Sequence, residues 1–278
     1  MNRDSASAVR SGRPFAPRRD DAELEISVLA ALLDPLIGFL FALPHLFLFT
    51  HCERRWQTPC RVRRGLVIVC GGIEGPSLAQ HGIAGGLLRG GWRGAVHIFR
   101  WNTGIPFWRC GVNLMNRAYQ QRRAAELAGM IREYTRLQPG RPIHLVAVSG
   151  GCWIVTQALE LLHSCDKAPT VDQVILLAPA ISPTADLSRA ARAVNGQLHL
   201  FKSRFDFVML GAGTTLLGTS DRRFGPAAGW RGLRNPPTNV CQHEWLAAFA
   251  DHGNLGSHCT SVAPGFIRSI IAPLLRQK

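Results

Sequence analysis

From residue 65 onward, short runs of apolar and β-branched residues alternate with segments whose apolar positions recur every three or four residues. GLVIVCG (65–71) is continuously apolar and ends in glycine, the pattern of a strand buried on both faces. AVHIFRW (95–101), PIHLVAVS (142–149), VDQVILLAP (171–179) and GQLHLFKS (196–203) repeat it. Between them GIAGGLLRGGW (82–92) reads as a short helix with a glycine-rich exit. Residues 113–137 have helical spacing with charge on one face, and Pro139-Gly140 ends that helix. GCWIVTQALELLHS (151–164) is a further helix, and APGFIRSIIAPLL (263–275) a terminal one. Non-alternating strands separated by helices predict an α/β domain over 60–278, with a mainly parallel central sheet and helices on both faces. In such sheets functional groups gather beyond the carboxyl ends of the strands.

The chain before this domain follows another pattern. Residues 1–25 are polar, mixed in charge and carry Pro14 and Pro17, so they are expected to form a disordered arm. Residues 26–55 form a separate apolar segment. Its core, ISVLAALLDPLIGFLFALPHLFLFT (26–50), is the most hydrophobic stretch of the chain, interrupted by Asp34, Pro35, Pro44 and His45. The uncharged run from Pro35 to Thr50 is shorter than the roughly 18–20 residues a spanning helix needs. The segment can span a membrane, dip into one leaflet, or pack as a helix on the protein's own core. Its many Leu and Phe residues favour membrane association, because left in water they would form a large apolar patch. If it spans, Arg54, Arg55, Arg61, Arg63 and Arg64 would hold the following domain on the cytoplasmic side. A soluble cytoplasmic protein is the alternative. A cleaved signal peptide fits poorly, since the arm is long and acidic near the apolar run and lacks a small-residue cleavage site.

Charge and cysteine content narrow the classes further. The formal net charge is +14, and Lys167, Lys202 and Lys278 are the only lysines among 32 cationic residues. The arginines are scattered, and no nucleic-acid-binding signature accompanies them, so a solvated basic surface is expected and no nucleic-acid partner. Eight cysteines stand at 52, 60, 70, 110, 152, 165, 241 and 259 without a CxxC pair. That spacing argues against a zinc site; the even count permits disulfides without requiring them, and free thiols in a reducing compartment are the favoured reading. No metal, nucleotide or redox-cofactor motif is present, so no cofactor is expected.

The candidate chemistry lies at strand ends. AVSGG (147–151) sets Ser149 between the third strand and the helix that follows, the strand–turn–helix context of a nucleophile elbow. Ala147 and Gly151 fill the two small positions of G-x-S-x-G, with alanine departing from the strict pattern. The bland alternative is a serine capping a helix. A nucleophilic serine needs a base, usually histidine, and an acid to orient it. In this fold class the chain order is serine, acid, histidine. SRFD puts Asp206 just past the fifth strand; Asp221, in TSDRR, is a second choice and is expected to pair with arginine instead. His258, in GSHCTS ahead of the terminal helix, is preferred over His252.

VIVCGG, AVSGG, VILLAPAISP, HLFKSRFD and GSHCTS, in this order from about residue 65 to the end, resemble the α/β-hydrolase fold family in its serine esterase or lipase branch. The resemblance implies an acyl-enzyme mechanism on an ester or related acyl substrate, with Ser149 as nucleophile, His258 as base and Asp206 orienting it. It also implies an oxyanion hole from the backbone N–H groups of Gly150 and, in GGIEG, Ile73. The short connection between the fourth and fifth strands leaves little room for a cap domain there, whereas the long glycine-rich stretch after Asp206 could line or cover the site. The apolar amino-terminal segment hints at a lipid-derived substrate. A non-catalytic binding protein of the same fold and a membrane-anchored interaction protein are the rival readings. Under the anchored-enzyme reading, deletion of 26–50 is expected to spare turnover of soluble esters.

Overall fold

The computed structural model describes residues 21–42, 52–75, 77–102, 110–164 and 170–276. Most of the expected arm, and residues 43–51 of the apolar segment with Pro44 and His45, lie outside these.

Six strands form one sheet: β1 (Leu66–Cys70), β2 (Ala95–Phe99), β3 (Ile143–Val148), β4 (Gln173–Leu177), β5 (Leu198–Lys202) and β6 (Val240–Glu244). All pair in parallel, in the order β2-β1-β3-β4-β5-β6. The chain order thus reverses between β1 and β3, a switch point where parallel sheets open a crevice. The first five strands coincide with the sequence expectation, trimmed at their ends. The sixth is an addition. Its residues VCQHE are buried only at Val240 and His243 and carry polar side chains on an edge, so they lack the continuous apolar run that marked the others.

The helices sit on the two faces as parallel strands require. After the amino-terminal helix α1 (Asp21–Ala42), α2 (Leu78–Arg89) and the terminal helical run Pro264–Leu274 cover one face. There Val67, Val69, Val146 and Ile175 meet Ile83, Leu87, Phe266 and Ile271. On the other face, α3 (Arg117–Leu137) and α4 (Gly151–His163) bury Leu127, Ile131, Ile154 and Leu159 against Ile68, Leu145 and Leu176. The single helix expected over 113–137 is divided at Asn116, whose side chain accepts from the Tyr119 amide and starts α3 afresh. Cys60, Cys70, Cys110, Cys152, Cys241 and Cys259 are free thiols.

Helix α1 (Asp21–Ala42) packs against the domain in an inverted sense. Ser27, Ala30, Ala31 and Asp34, at helical spacing, are buried, while Leu29, Leu32, Leu33, Leu36 and Leu40 are exposed. Its neighbours are α2, the turn Phe207–Gly213 and the turn Cys259–Val262. It begins at Asp21, inside the stretch expected as an arm. Among the described residues no helix is long and apolar enough to cross a membrane.

Candidate active site

Ser149 sits where β3 must turn into α4 within two residues. It is one of three non-glycine residues with positive φ among the described residues, at 53°. A side chain in the left-handed region costs free energy and persists only where its surroundings impose it. Here the backbone is pinned on both sides. The Ser149 amide donates to the Leu177 carbonyl at 3.0 Å, and its carbonyl accepts from Cys152 and Ala180, each at 3.2 Å. The elbow also needs Gly151, where a β-carbon would lie 2.2 Å from the Gly71 carbonyl oxygen. Ala147 is compatible because its methyl is buried within the core between β1 and β4.

Asp206 follows β5 and is 1% exposed. Its Oδ1 accepts from the Leu210 amide at 3.2 Å, and its Oδ2 faces His258 Nδ1 at 2.6 Å. Burial raises the Asp206 carboxyl above its ordinary range, and the neighbouring imidazole pulls it back down. Burial acts against a charge on His258, but the Asp206 carboxylate and its hydrogen bond, with Asp34 and Glu74 behind them, outweigh it and raise the imidazole to about 9. The structure therefore pairs Asp206 with His258. The alternatives lie elsewhere: Asp221 Oδ1 accepts from the Ser182 amide at 2.8 Å, rather than making the arginine pairing expected of it, and His252 belongs to the turn Ala247–His252.

The candidate oxyanion donors are adjacent. A β-carbon on Gly150 would lie 2.5 Å from Ile73 Cγ2 and 3.7 Å from Ile73 N. A set of buried donors fixes the loop that carries Ile73. Trp101 Nε1 holds the Gly71 carbonyl at 2.7 Å, Asn102 Nδ2 the Gly72 carbonyl at 2.8 Å and Asn113 Nδ2 the Ile73 carbonyl at 2.8 Å. With these three carbonyls engaged, the loop is held in one orientation. Ser149, Ile73 and His258 line one cavity of about 310 Å³ whose walls are mostly apolar, among them Leu114, Val148, Met209 and Leu217. Met209, Leu210 and Leu217 come from the stretch after Asp206, and Asp34, Pro35 and Gly38 come from α1. A separate cavity of about 500 Å³, lined by Arg223, Arg231 and Arg234, does not include Ser149.

Sequence reasoning missed three kinds of residue here. Asp34, more than two hundred residues away in the chain, bonds the His258 turn. Glu74, in GGIEG, is half-buried in the cavity wall. Burial raises its carboxyl, against backbone and Ser77 hydrogen bonds and the His258 charge. Trp101, Asn102 and Asn113 had no signal, because their role is set by contacts distant in sequence. Two thiols also line the cavity, but burial pushes Cys110 up to about 11 and Cys259 higher still, so neither presents a thiolate near neutral pH.

A family model described as an alpha/beta hydrolase of unknown function (DUF900) matches residues 93–228. Carboxyl esterase 2 from the mycorrhizal fungus Tuber melanosporum is 11% identical with a TM-score of 0.47, over 79% of this chain and 80% of that one. A Bacillus licheniformis lipase in its mature form is 14% identical with a TM-score of 0.43, over 79% and 94%. Aspergillus fumigatus lipase B is 13% identical with a TM-score of 0.37, over 81% and 69%. No curated protein sequence matches this chain. The parallel six-stranded sheet flanked by helices, together with the family model, gives the chain the α/β-hydrolase fold.

Proposed function

We propose, from the α/β-hydrolase fold of this chain, that it is a serine hydrolase acting on an ester or related acyl substrate with an apolar acyl group. The observation that carries this reading is Ser149, held at φ 53° in the elbow and sharing one cavity with His258, whose ring is hydrogen-bonded to Asp206. Ser149 Oγ attacks the acyl carbonyl carbon while His258 Nε2 takes its proton. The oxyanion is held by the Ile73 and Gly150 amides. His258 returns the proton to the leaving alcohol, and water then attacks the acyl-enzyme by the same route, releasing the acid and restoring the serine. Asp206 holds the ring at Nδ1 throughout, which leaves Nε2 to exchange the proton. The apolar cavity supports an apolar acyl group. The exposed leucines of α1, beside residues that line the cavity, support delivery of substrate from a lipid surface.

The test is covalent labelling with a fluorophosphonate probe. The wild-type protein is expected to label, and Ser149→Ala and His258→Ala are expected not to. A folded wild-type protein that stays unlabelled would refute the reading and turn the cavity into a binding site without turnover.

A further inference from the structure

Asp34 stands outside the sheet domain, on α1, yet its side chain is 1% exposed. Its carboxylate takes three hydrogen bonds, all from the turn that carries His258. Oδ1 accepts from Ser257 Oγ at 2.8 Å and from the Cys259 amide at 3.0 Å, and Oδ2 accepts from the His258 amide at 2.6 Å. The Cys259 thiol adds a bond to the Asp34 carbonyl at 3.4 Å. A buried carboxylate is costly unless its oxygens are satisfied, and bonds to an ionised acceptor are about twice as strong as neutral ones. A carboxylate so placed ties α1 and this one turn together.

We propose that Asp34 is a positioning residue for His258. It fixes the backbone of the histidine from α1 while Asp206 fixes the ring from the end of β5, so α1 is a working part of the active site. This rests on the serine-hydrolase reading above. A base held only through its ring can still swing with its loop, and a displacement of about 1 Å costs about 100-fold in rate. The second tether removes that freedom. Asp34 also contributes charge. The carboxyls facing His258 are Asp206, Asp34 and Glu74, and each favours the imidazolium.

The experiment compares the full-length wild-type protein with Asp34→Asn. Asparagine has nearly the same shape, but its one carbonyl oxygen cannot replace both carboxylate oxygens. In the orientation that keeps the bonds of Oδ1, an NH2 group meets the His258 amide, donor against donor. Three quantities are read: the fluorophosphonate labelling rate, kcat and KM on a soluble short-chain ester, and the His258 imidazole pKa by NMR. The labelling rate and kcat are expected to fall about 10- to 100-fold with KM little changed, and the imidazole pKa to drop. Ser257→Ala, which removes one donor but keeps the Asp34 charge, should lower the labelling rate and kcat by less without lowering the imidazole pKa, and its rates serve if Asp34→Asn does not fold. A wild-type labelling rate in a folded variant, or an unmoved imidazole pKa in folded Asp34→Asn, would overturn the proposal. An unlabelled wild-type protein would refute the serine-hydrolase reading instead, and the NMR shift would still decide whether Asp34 acts on His258.

Discussion

Gly150→Ala isolates the proposed oxyanion pair. Gly150 has φ −63° and ψ −25°, so alanine fits the backbone without strain and gains about 0.4–1 kcal/mol from the stiffer unfolded chain. The new methyl would stand 2.5 Å from Ile73 Cγ2. Apolar carbons settle about 3.5–4.0 Å apart, so the two must separate by about 1 Å. The overpacking costs about 1–3 kcal/mol, which a folded domain of this size tolerates. The catalytic loss should be larger, because the shift falls on the residues whose amides are proposed to hold the oxyanion. Loss of one such donor lowers kcat by about 100- to 1,000-fold, or about 2.7–4 kcal/mol. The assay is kcat and kcat/KM on a p-nitrophenyl ester, beside thermal unfolding. Ile73→Ala removes Cγ2 while keeping the amide, so the double variant Gly150→Ala/Ile73→Ala should regain much of the lost rate, a strongly non-additive cycle. Wild-type turnover in folded Gly150→Ala would refute the assignment of Ile73 and Gly150 as the donor pair. Equal losses in the single and double variants would refute the steric route.

Two further expectations concern pH and membranes. His258 must be neutral to accept the serine proton, and its imidazole is raised to about 9 by the carboxyls around it despite burial. Below that value the base is protonated, so kcat/KM should climb on the alkaline side instead of levelling off above the ordinary histidine pKa of about 6.5; a plateau already complete at pH 7 would contradict this. Leu32→Ser with Leu36→Ser should leave the fold intact and weaken partitioning onto anionic vesicles about tenfold or more, because each fully buried leucine contributes about 1.5–3 kcal/mol. Sedimentation with vesicles at two salt concentrations measures it, and undiminished binding would remove α1 as the contact.

How much of this the sequence displayed depended on whether the information was local. The strands β1 to β5 are buried on both faces, so their apolar runs have no competing explanation, and their ends were misjudged only by a residue or two. The elbow was equally local: the tight turn demands small neighbours, and AVSGG supplies them on either side of Ser149. Asp206 and His258 were legible through chain order and strand ends, and the structure pairs them, whereas Asp221 and His252 go elsewhere. The sixth strand was hidden because an edge strand needs little apolar surface. The donors that fix the loop carrying Ile73 were hidden because Trp101, Asn102 and Asn113 act on carbonyls some thirty to forty positions away.

The amino-terminal helix shows the limit of hydrophobic pattern more sharply. Its leucines and phenylalanines suggested an anchor, and Asp34 looked like an interruption of it. The structure reverses the emphasis: the small and polar stripe of Ser27, Ala30, Ala31 and Asp34 faces the domain, and the leucines face out. The interrupting residue is the one with the most specific contacts, because a carboxylate inside an apolar helix is tolerable only where several donors meet it. One consequence follows for the segment as a whole. Deleting 26–50 would not spare turnover of soluble esters, as an independent anchor would allow, since Asp34 and the cavity residues Pro35 and Gly38 leave with it. The proposed membrane contact of α1 is therefore probed through its outward leucines and the proposed positioning of His258 through Asp34, since the two sets lie on different faces of one helix.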